Sequence, residues 1–360
     1  MPVSDSSVPA RDRVDRAITP ATASAAAADT TGFRSSGQSP GAVATVHLVG
    51  GGALATAVLR QIGALPAVVV AVSDDTATVF DRRGVPLTTL CEHLQRGGGL
   101  AALPRAERLP PDQATAFVAA DVVIDVSEPA NGRAIDAAVE RGRAVLRRGA
   151  SLVIADAGIA AAGAIEWQLG LHAARAWLDG ALGGIGRRLA DEIAELRERS
   201  SALALVGERT STAAVQAIES GAVTPPFAAE LRSVSTFAAR FAALWAGVFG
   251  TPWLRPPTSP EVDTTRLVLP PPHEQRARAA RGATTRLVAR GSRGGRDFQL
   301  GFEEVAVGTA LAAPADRVVA TYELPQGRRV HTGTAIGSEA VAAAVVADAQ
   351  RALTRAEVLA

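Results

Sequence analysis

The sequence contains no lysine, so all 37 of its basic side chains are arginine. Without a lysine amine, the chain cannot form a Schiff base with pyridoxal phosphate or with a carbonyl substrate. It also cannot supply the lysine of a phosphate-binding P-loop. Because arginine keeps its proton near neutral pH, any residue that delivers a proton in an active site of this protein must be of another type.

Cysteine and long apolar runs are scarce as well. The single Cys91 excludes an intrachain disulfide and a multi-cysteine zinc site. The sequence has no run of about 18 apolar residues, so it predicts no transmembrane helix. The N-terminus lacks the basic start and apolar core of a secretory signal. A net charge of +1 with 48% apolar residues is typical of a globular protein and does not point to nucleic acid or a membrane. We therefore expect a cytoplasmic protein.

The chain changes character near position 43. Residues 1–42 are rich in Ser, Ala, Thr and Pro without an apolar period, which predicts a disordered tail. From there to 158, apolar runs alternate with helical patterns, as in a Rossmann-like, doubly wound parallel sheet that binds a dinucleotide. The predicted strands are Val43–Val49, Ala67–Val72, Asp121–Val126 and Ser151–Ala155, and the predicted helices are Ala53–Ile62 and Ala130–Arg141.

The remainder predicts a second α+β domain over 159–335, for substrate binding and dimerisation. Alternating patterns indicate a mostly antiparallel sheet. A C-terminal helix within 336–360 is expected to return to the first domain. The predicted strands are Ser201–Gly207, Thr284–Arg293, Asp297–Val307 and Asp316–Leu324. The predicted helices are Ala160–Ala176, Arg187–Arg199, Ser211–Ser220, Phe237–Phe249 and Ser338–Leu353, with a proline-rich connector at Thr251–Pro272.

Three consecutive glycines follow the first predicted strand. Gly50, Gly52 and Ala55 fit the G-x-G-x-x-G/A pattern, in which the first glycine makes a tight turn and the second lets backbone N–H groups approach a pyrophosphate. A small residue at 55 lets the next helix pack closely on the strand, and the start of that helix favours an anion. The pattern predicts binding of NAD or NADP; a glycine turn that binds nothing is the other interpretation.

Acidic residues follow the second predicted strand. Asp74 or Asp75 occupies the place where a carboxylate accepts hydrogen bonds from the adenosine ribose of NAD. Arg82 and Arg83 are close enough in sequence to pair with the 2′-phosphate of NADP, so both cofactors stay open. A solvated acidic turn is the alternative interpretation of the two aspartates.

Seven stretches resemble the homoserine dehydrogenase family and follow that family's order. They read VHLVGGGALATAVL, VVVAVSDDTATVFDRRGVPL, DVVIDVSEPANGRAIDAAVERG, GASLVIADAGIAA, LDGALGGIG, ERTSTAAVQAIESG and HTGTAIGSEAVAAAVVADAQ. The resemblance runs from about Val46 to the C-terminus and implies the same fold. No single stretch carries it; their shared order does.

The resemblance also implies a chemistry and an assembly. In the family, a hydride passes between C4 of nicotinamide and an aldehyde carbon while a positioned acid delivers a proton to the oxygen. The family commonly dimerises through the sheet of the second domain. By resemblance, Ser127 and Gly333 contact the cofactor. Ser127 and its neighbour Glu128 also fit a plain strand end.

Several catalytic positions depart from the family pattern. The family's Asn-Lys pair falls on Asp156 and Ala157. Its second lysine falls on Arg240, with Thr236 at the aspartate of the same helix. The acidic segment that holds the substrate amine is missing, and Glu230 is the only carboxylate left there. Because general acid catalysis alone contributes roughly 10²–10⁴ in rate, we expect poor reduction of aspartate semialdehyde.

Asp156, Arg240 and Glu208 are the candidate catalytic residues. Asp156 follows the fourth predicted strand at the edge where ligands bind, and is either a repurposed acid or base or a helix N-cap. Arg240 either orients a substrate carboxylate or makes an ion pair. Glu208, with Thr210 and Thr212, falls next to the substrate in the family or caps a helix.

No zinc-type metal site is predicted. The five histidines form neither an H-x-x-x-H nor an H-E-x-x-H pattern. By resemblance, Asp179 and the backbone of Leu182, Gly184 and Gly186 lie where the family binds a monovalent cation. A glycine-rich turn is the alternative interpretation.

These patterns support two hypotheses from different classes. The first is an NAD(P)-dependent oxidoreductase that resembles homoserine dehydrogenase, with an altered active site and a different small-molecule substrate. The alternative is a catalytically silent relative that binds nucleotide or a partner protein as a subunit. A homodimer is the expected assembly, with neither nucleic acid nor a membrane as a partner.

Overall fold

The computed structural model describes residues 43–129, 132–164, 175–206, 227–249, 270–293, 299–312, 317–334 and 337–359, with the backbone alone at 227–235 and 356–359. The tail predicted at 1–42 and the helix predicted at Ser211–Ser220 lie outside these residues. Within them, no helix combines the length and the apolar character that crossing a membrane requires.

A mostly parallel sheet of seven strands occupies the first half of the described chain. Its strands are β1 (Ala44–Val49), β2 (Ala67–Ser73), β3 (Thr78–Phe80), β4 (Ala106–Glu107), β5 (Val122–Asp125), β6 (Ser151–Ile154) and β7 (Ala176–Trp177). Their order is β4-β3-β2-β1-β5-β6-β7, and β3 and β4 run antiparallel at one edge. The four predicted strands are confirmed, each to within one residue at either end, because continuous apolar runs suit strands buried on both faces.

The strand order locates the ligand-binding edge of this sheet. The chain passes from β1 to β2 on one side and later returns to β5 on the other side of β1. The reversal puts the topological switch point between β1 and β5, and ligands of such sheets bind beyond the carboxyl ends of the strands at that point.

His47, on the central strand β1, is fully buried within a chain of polar side chains. Its Nε2 lies 2.7 Å from Ser73 Oγ, which lies 2.8 Å from Thr78 Oγ1, and Thr78 Oγ1 donates to the carbonyl of Leu109. Since Thr78 uses its proton there, Ser73 donates to Thr78 and accepts from the Nε2–H of a neutral His47. Burial, with two nearby arginines, lowers the pKa of His47 to about 3, so the ring stays uncharged in the core.

Helices flank this sheet. They are α1 (Gly52–Gln61), α2 (Leu87–Gln95), α3 (Pro111–Phe117), α4 (Gly132–Arg147) and α5 (Ala157–Ala162). Those at Gly52–Gln61 and Gly132–Arg147 correspond to predicted helices, the second ending six residues beyond the predicted Arg141, whereas those at Leu87–Gln95 and Pro111–Phe117 were not predicted. The helix predicted over Ala160–Ala176 is wrong at its C-terminal end, because Ala176 belongs to β7; α5 ends at Ala162, and positions 165–174 lie outside the described residues. An alanine-rich run has high helix propensity, but the backbone of β7 pairs with β6 and overrides that preference.

A second, antiparallel sheet of five strands follows. Its strands are β8 (Ala202–Val206), β9 (Ala283–Ser292), β10 (Gln299–Ala306), β11 (Val318–Leu324) and β12 (Gly327–Gly333), in the order β10-β9-β8-β11-β12. The predicted fold class is thereby confirmed. Strand β12 was not predicted, because its sequence GRRVHTG shows little apolar alternation, and its pairing with β11 holds it in place.

The remaining described helices are α6 (Gly186–Arg199), α7 (Phe227–Phe249), α8 (Pro272–Ala280) and α9 (Ser338–Leu359). The aromatic stripe of α7 is core packing, as its spacing predicts: Phe241 and Trp245 have ring centroids 5.9 Å apart, and Trp245 and Phe249 4.4 Å apart. Helix α9 packs against α1, so the C-terminal residues return to the first sheet. Helix α5 packs against α7, which joins the two halves beside the candidate site.

Candidate functional site

The glycine turn between β1 and α1 has the geometry that the sequence pattern predicts. Gly50 has φ +129° and donates its N–H to the Ser73 carbonyl at 2.8 Å. A Cβ on Gly50 would lie 2.7 Å from Ser127 N, so only glycine fits between β1 and the end of β5. Gly52, with φ +75°, has no atom within 4 Å of its Cβ position and faces open space. Ala55 is fully buried where α1 meets the sheet.

Asp74 is bound to its own chain. Its Oδ1 accepts from the N–H and hydroxyl of Thr76 and from the N–H of Ala77, and its Oδ2 accepts from the N–H of Leu100, all at 2.7–2.8 Å. Burial opposes the charge, but these hydrogen bonds together lower the pKa of Asp74. The ribose contact predicted for Asp74 stays a prediction, and the neighbouring Asp75 is the exposed carboxylate at this edge.

Arg82 and Arg83 lie at the opposite end of β2 from Asp74. Strand β3 runs antiparallel to β2, so Asp81 donates its N–H to Val70. That places Asp81 three residues, or about 10 Å, from the carboxyl end of β2, and Arg82 and Arg83 follow it in the direction away from that end. Arg108 comes directly after Glu107, which pairs with Thr78 of β3, and is therefore nearer to that end. The pairing of Arg82 and Arg83 with the 2′-phosphate of NADP stays a prediction.

A buried ion pair at the end of β5 was not predicted. Arg141 of α4 donates from Nη2 and Nε to Asp125 Oδ2 at 2.6 and 3.0 Å, and from Nη1 to Asp112 Oδ1 at 2.6 Å. Asp125 Oδ1 accepts from the N–H and hydroxyl of Ser127 at 3.0 and 2.5 Å. Burial opposes the charge of Arg141, but the two carboxylates raise its pKa above the ordinary value. The network fixes Ser127 against the Gly50 turn.

Asp156 caps helix α5 at the carboxyl end of β6. Its Oδ1 accepts the N–H of Ile159 at 2.8 Å, so the N-cap interpretation is confirmed. Burial raises the pKa of Asp156, and the charges of Asp125 and Glu128 raise it further, against two backbone N–H groups that lower it. A carboxyl group with a raised pKa is a candidate proton donor, so its acid role remains a prediction beside the cap.

The glycine-rich loop between β7 and α6 is tied down at both ends by acidic residues. Asp179 Oδ1 accepts the N–H of Arg187 at 3.0 Å near the start of α6. The N–H of Asp179 in turn donates to Oδ2 of Asp348, on α9, at 2.8 Å. Asp348 also pairs with Arg351. No cluster of three or more His, Cys, Asp or Glu side chains suits a metal within the part of the chain that the structure describes, and the cation contact of Asp179 stays a prediction.

Asp348 is predicted to make folding stability depend on pH. Burial and the charge of Asp179 raise its pKa to about 7, against the opposing effect of Arg351. Because the folded-state pKa exceeds the unfolded one of 3.8, this residue contributes stability below about pH 4 that is lost as the pH rises through about 7. In urea unfolding, the free energies of unfolding of Asp348→Asn and wild type should be closer at pH 5 than at pH 8. At pH 8 the free energy of unfolding of the variant should exceed that of wild type by up to about 4 kcal/mol.

The exposed Asp112→Asn provides the control for that comparison. Its side chain is 55% exposed, so its difference from wild type should change little between pH 5 and pH 8. If Asp348→Asn keeps the same offset from wild type at both pH values, Asp348 is ionised throughout and the prediction is wrong.

Gly333 and Arg240 both meet the glycine-rich loop. A Cβ on Gly333 would lie 2.1 Å from the carbonyl oxygen of Gly183 and 2.7 Å from the carbonyl carbon of Gly184, so the end of β12 lies directly on the loop backbone. The side chain of Arg240, on α7, is buried and donates from Nε to the carbonyl of Ala181 at 3.1 Å. Gly333 as a cofactor contact and Arg240 as a substrate contact remain predictions.

The remaining candidate residues lie outside the described part of the chain or on its surface. Glu208, Thr210 and Thr212 lie outside the described residues, as does the side chain of Glu230. Thr236 is exposed on α7. The structure therefore brings Gly50, Gly52 and Ser127 together at the switch point and holds Gly333 and Arg240 on the glycine-rich loop.

Three solved structures have the same architecture over most of their length. A hyperthermophilic archaeal homoserine dehydrogenase in complex with NADPH is 17% identical, with a TM-score of 0.65 over 87% of this chain and 98% of its own. The fold is that of homoserine dehydrogenases. The enzyme from Thermoplasma acidophilum gives 16% identity and a TM-score of 0.61 over 87% and 100% of the two chains. The enzyme from Thiobacillus denitrificans is 17% identical, with a TM-score of 0.56 over 86% of this chain and 73% of its own.

Similarity at the level of sequence is absent from the other comparisons. No protein-family model matches the chain, and no curated protein matches it. At these identities the likeness establishes the fold, and one fold supports many chemistries. The function must therefore be argued from the site itself.

Proposed function

We propose that this protein is an NAD(P)-dependent oxidoreductase with an altered active site, acting on a small molecule other than aspartate semialdehyde. The observation that carries the proposal is the turn at Gly50 and Gly52. Gly50 tolerates no side chain, and Gly52 leaves the start of α1 open at the switch point of the sheet. Backbone N–H groups and a helix start in that position suit a pyrophosphate.

The residues of this turn fit a dinucleotide. Gly50 and Gly52 would hold the pyrophosphate, Ala55 keeps α1 close to the sheet, and Ser127 is fixed beside the turn by Asp125 and Arg141. The nicotinamide cofactor would supply the hydride in its reduced form, NADH or NADPH. Asp75 is the exposed carboxylate nearest to the predicted ribose position, which favours NAD, whereas Arg108 near the same end leaves NADP open.

Asp156 is the proposed proton donor, in place of the family's lysine. Its carboxyl group lies at the carboxyl end of β6 with a raised pKa, so it holds a proton nearer to neutral pH than an exposed aspartate does. The proton would pass from Asp156 to the substrate oxygen or nitrogen as the adjacent carbon accepts the hydride. We keep Arg240 and Glu208 as proposed substrate contacts, and by resemblance we propose a homodimer.

One observation favours the silent alternative. Asp74 is buried and accepts four hydrogen bonds from its own chain, so the ribose contact predicted for it would have to compete with them. A protein that retains this fold without turnover would act as a nucleotide-binding or partner-binding subunit. Binding without turnover of small aldehydes, ketones and imines would support this alternative.

The Gly52→Asp variant tests the cofactor site. The Cβ position of Gly52 is open, so the first atom of a side chain there meets no protein atom, while an aspartate would set a negative charge against the pyrophosphate. Gly52→Asn is the matched control, because asparagine has nearly the same shape and tolerates positive φ. We expect Gly52→Asp to weaken NADH or NADPH binding at least tenfold relative to Gly52→Asn, measured by calorimetry.

Two results would contradict the proposal. Equal affinity of the two variants would mean that the turn does not hold the pyrophosphate. Failure of the wild-type protein to bind NAD, NADH, NADP or NADPH at about millimolar concentration would rule out the oxidoreductase.

A further inference from the structure

A cavity of about 120 Å³ lies behind the glycine-rich loop, away from the Gly50 turn. Small residues on four elements leave the space: Ala160 on α5, Ala176 on β7, Ala190 on α6, and Ala243 and Gly247 on α7. Its size is similar to that of the ~150 Å³ apolar cavity that binds benzene in another protein. The cavity is therefore large enough for a compact apolar group.

Charged side chains also line this cavity, namely Asp179, Asp348, Arg187, Arg197 and Arg351. Trp177, Arg187 and Arg351 line it and also line an adjoining surface cleft, where Arg355 joins them. The guanidinium carbon of Arg351 lies 5.5 Å from the centre of the Trp177 ring, so these two side chains stand at the junction. The space thus has an apolar interior and an arginine-lined mouth.

The positive charge at the mouth is only partly compensated. Arg351 pairs with Asp348 and lies 3.9 Å from Asp179. Among the residues that the structure describes, the side chains of Arg187 and Arg355 form no ion pair, although both are exposed. An anionic group at the mouth would supply the charge that these two guanidinium groups lack.

Two buried donors at the same place have no acceptor. Trp177 Nε1 and Arg351 Nε are shielded from solvent and lack a hydrogen-bond partner in the described part of the chain. A buried donor without a partner costs about 1–3 kcal/mol, and most such groups in folded proteins are satisfied. Both donors belong to residues that line the cavity and the adjoining cleft.

We propose that this cavity binds a small organic acid, whose compact apolar body occupies the alanine-lined interior and whose carboxylate lies at Arg187 and Arg351. The loop beside the cavity is where, by resemblance, the family binds a monovalent cation, but neither the fold nor the proposed oxidoreductase activity assigns an organic ligand to the cavity itself. Asp179, Leu182 and Gly186 of the glycine-rich loop form part of the wall. Occupancy would stabilise the loop on which Gly333 and Arg240 pack, which gives the acid a regulatory role.

Benzoate is the probe for this site, because it joins a benzene-sized body to one carboxylate. We expect calorimetry on the full chain to give a Kd on the order of 1 mM, without competition from NADH or NADPH. Benzylamine, with the same ring and the opposite charge, should not bind. Arg187→Gln should weaken benzoate binding about fivefold, whereas Arg188→Gln, an exposed neighbour on α6 that does not line the cavity, should leave it unchanged.

A cavity-filling variant tests the interior independently of charge. Ala243→Leu should reduce benzoate affinity at least tenfold while keeping the thermal unfolding temperature near that of wild type, because its side chain takes the place of the ligand body. The proposal is overturned if wild type binds no benzoate at about 10 mM, or if benzylamine binds as well as benzoate. It is also overturned if Arg187→Gln and Arg188→Gln behave alike. Each outcome is independent of whether the Gly50 turn binds a cofactor.

Discussion

Arg141→Met should lower the free energy of unfolding by about 3–5 kcal/mol. The side chains of Arg141 and Asp125 are only 7% and 3% exposed, so removing the guanidinium leaves a carboxylate buried without its counter-charge. Methionine keeps much of the volume, which limits the loss from packing. Chemical denaturation of the variant and of wild type, at the same pH and salt concentration, gives the difference directly.

Two further variants separate the buried pair from the exposed one. Asp112 also pairs with Arg141 but is 55% exposed, so Asp112→Asn should reduce stability by no more than about 1 kcal/mol. The double variant Asp125→Asn with Arg141→Met should recover at least about 2 kcal/mol relative to the sum of the single changes, because neither charge is then left alone. Additive single effects would show that the two side chains do not interact as the structure indicates.

Gly333→Ala should destabilise the protein by about 3 kcal/mol, near the upper end of the range for overpacked sites. The added Cβ would lie 2.1 Å from the Gly183 carbonyl oxygen. That neighbour is backbone, so it cannot swing aside as a flexible side chain can. Either β12 or the glycine-rich loop must shift, and the hydrogen bond from Arg240 to Ala181 would be disturbed with it. Thermal and urea unfolding measure the loss.

Gly63→Ala is the matched control for that substitution. Gly63 has no atom within 4 Å of its Cβ position and no positive φ, so an alanine there should change stability by less than about 1 kcal/mol. If both alanine variants unfold alike, the close approach of Gly333 to the loop is not a constraint on this fold.

Local signals account for the elements that the sequence predicts well. The apolar runs of β1, β2, β5 and β6 needed no knowledge of their partners, because strands covered on both faces are apolar along their whole length. The turn at Gly50 was also readable, since a tight strand-to-helix connection requires residues that adopt positive φ. Strand β12 was not predicted because its arginines interrupt the alternation of apolar and polar residues. Its strand conformation depends on pairing with β11.

The sequence predicted the contacts of candidate residues better when the contacting residues are close together in the chain. For Asp156 the sequence left two interpretations, a helix N-cap and a catalytic acid. The N-cap, which joins residues three positions apart, is confirmed. Arg82 and Arg83 are close to Asp74 in sequence, but the antiparallel pairing of β3 with β2 carries the chain away from Asp74 before it reaches them. The sequence predicted an acidic residue at the end of a strand in Asp74. It did not predict the hydrogen bond that Asp74 accepts from the N–H of Leu100, 26 positions away.

The sequence by itself determined the fold class, the glycine turn, and the absence of any lysine that might deliver a proton or form a Schiff base. These follow from composition, periodicity and turn chemistry, which act over a few neighbouring residues. Tertiary structure alone decided that Asp348 meets Asp179 across 169 positions and that Gly333 lies on the glycine-rich loop. It also decided that a cavity remains between helices rich in alanine. Such contacts depend on which elements the topology brings together, and no local pattern encodes that.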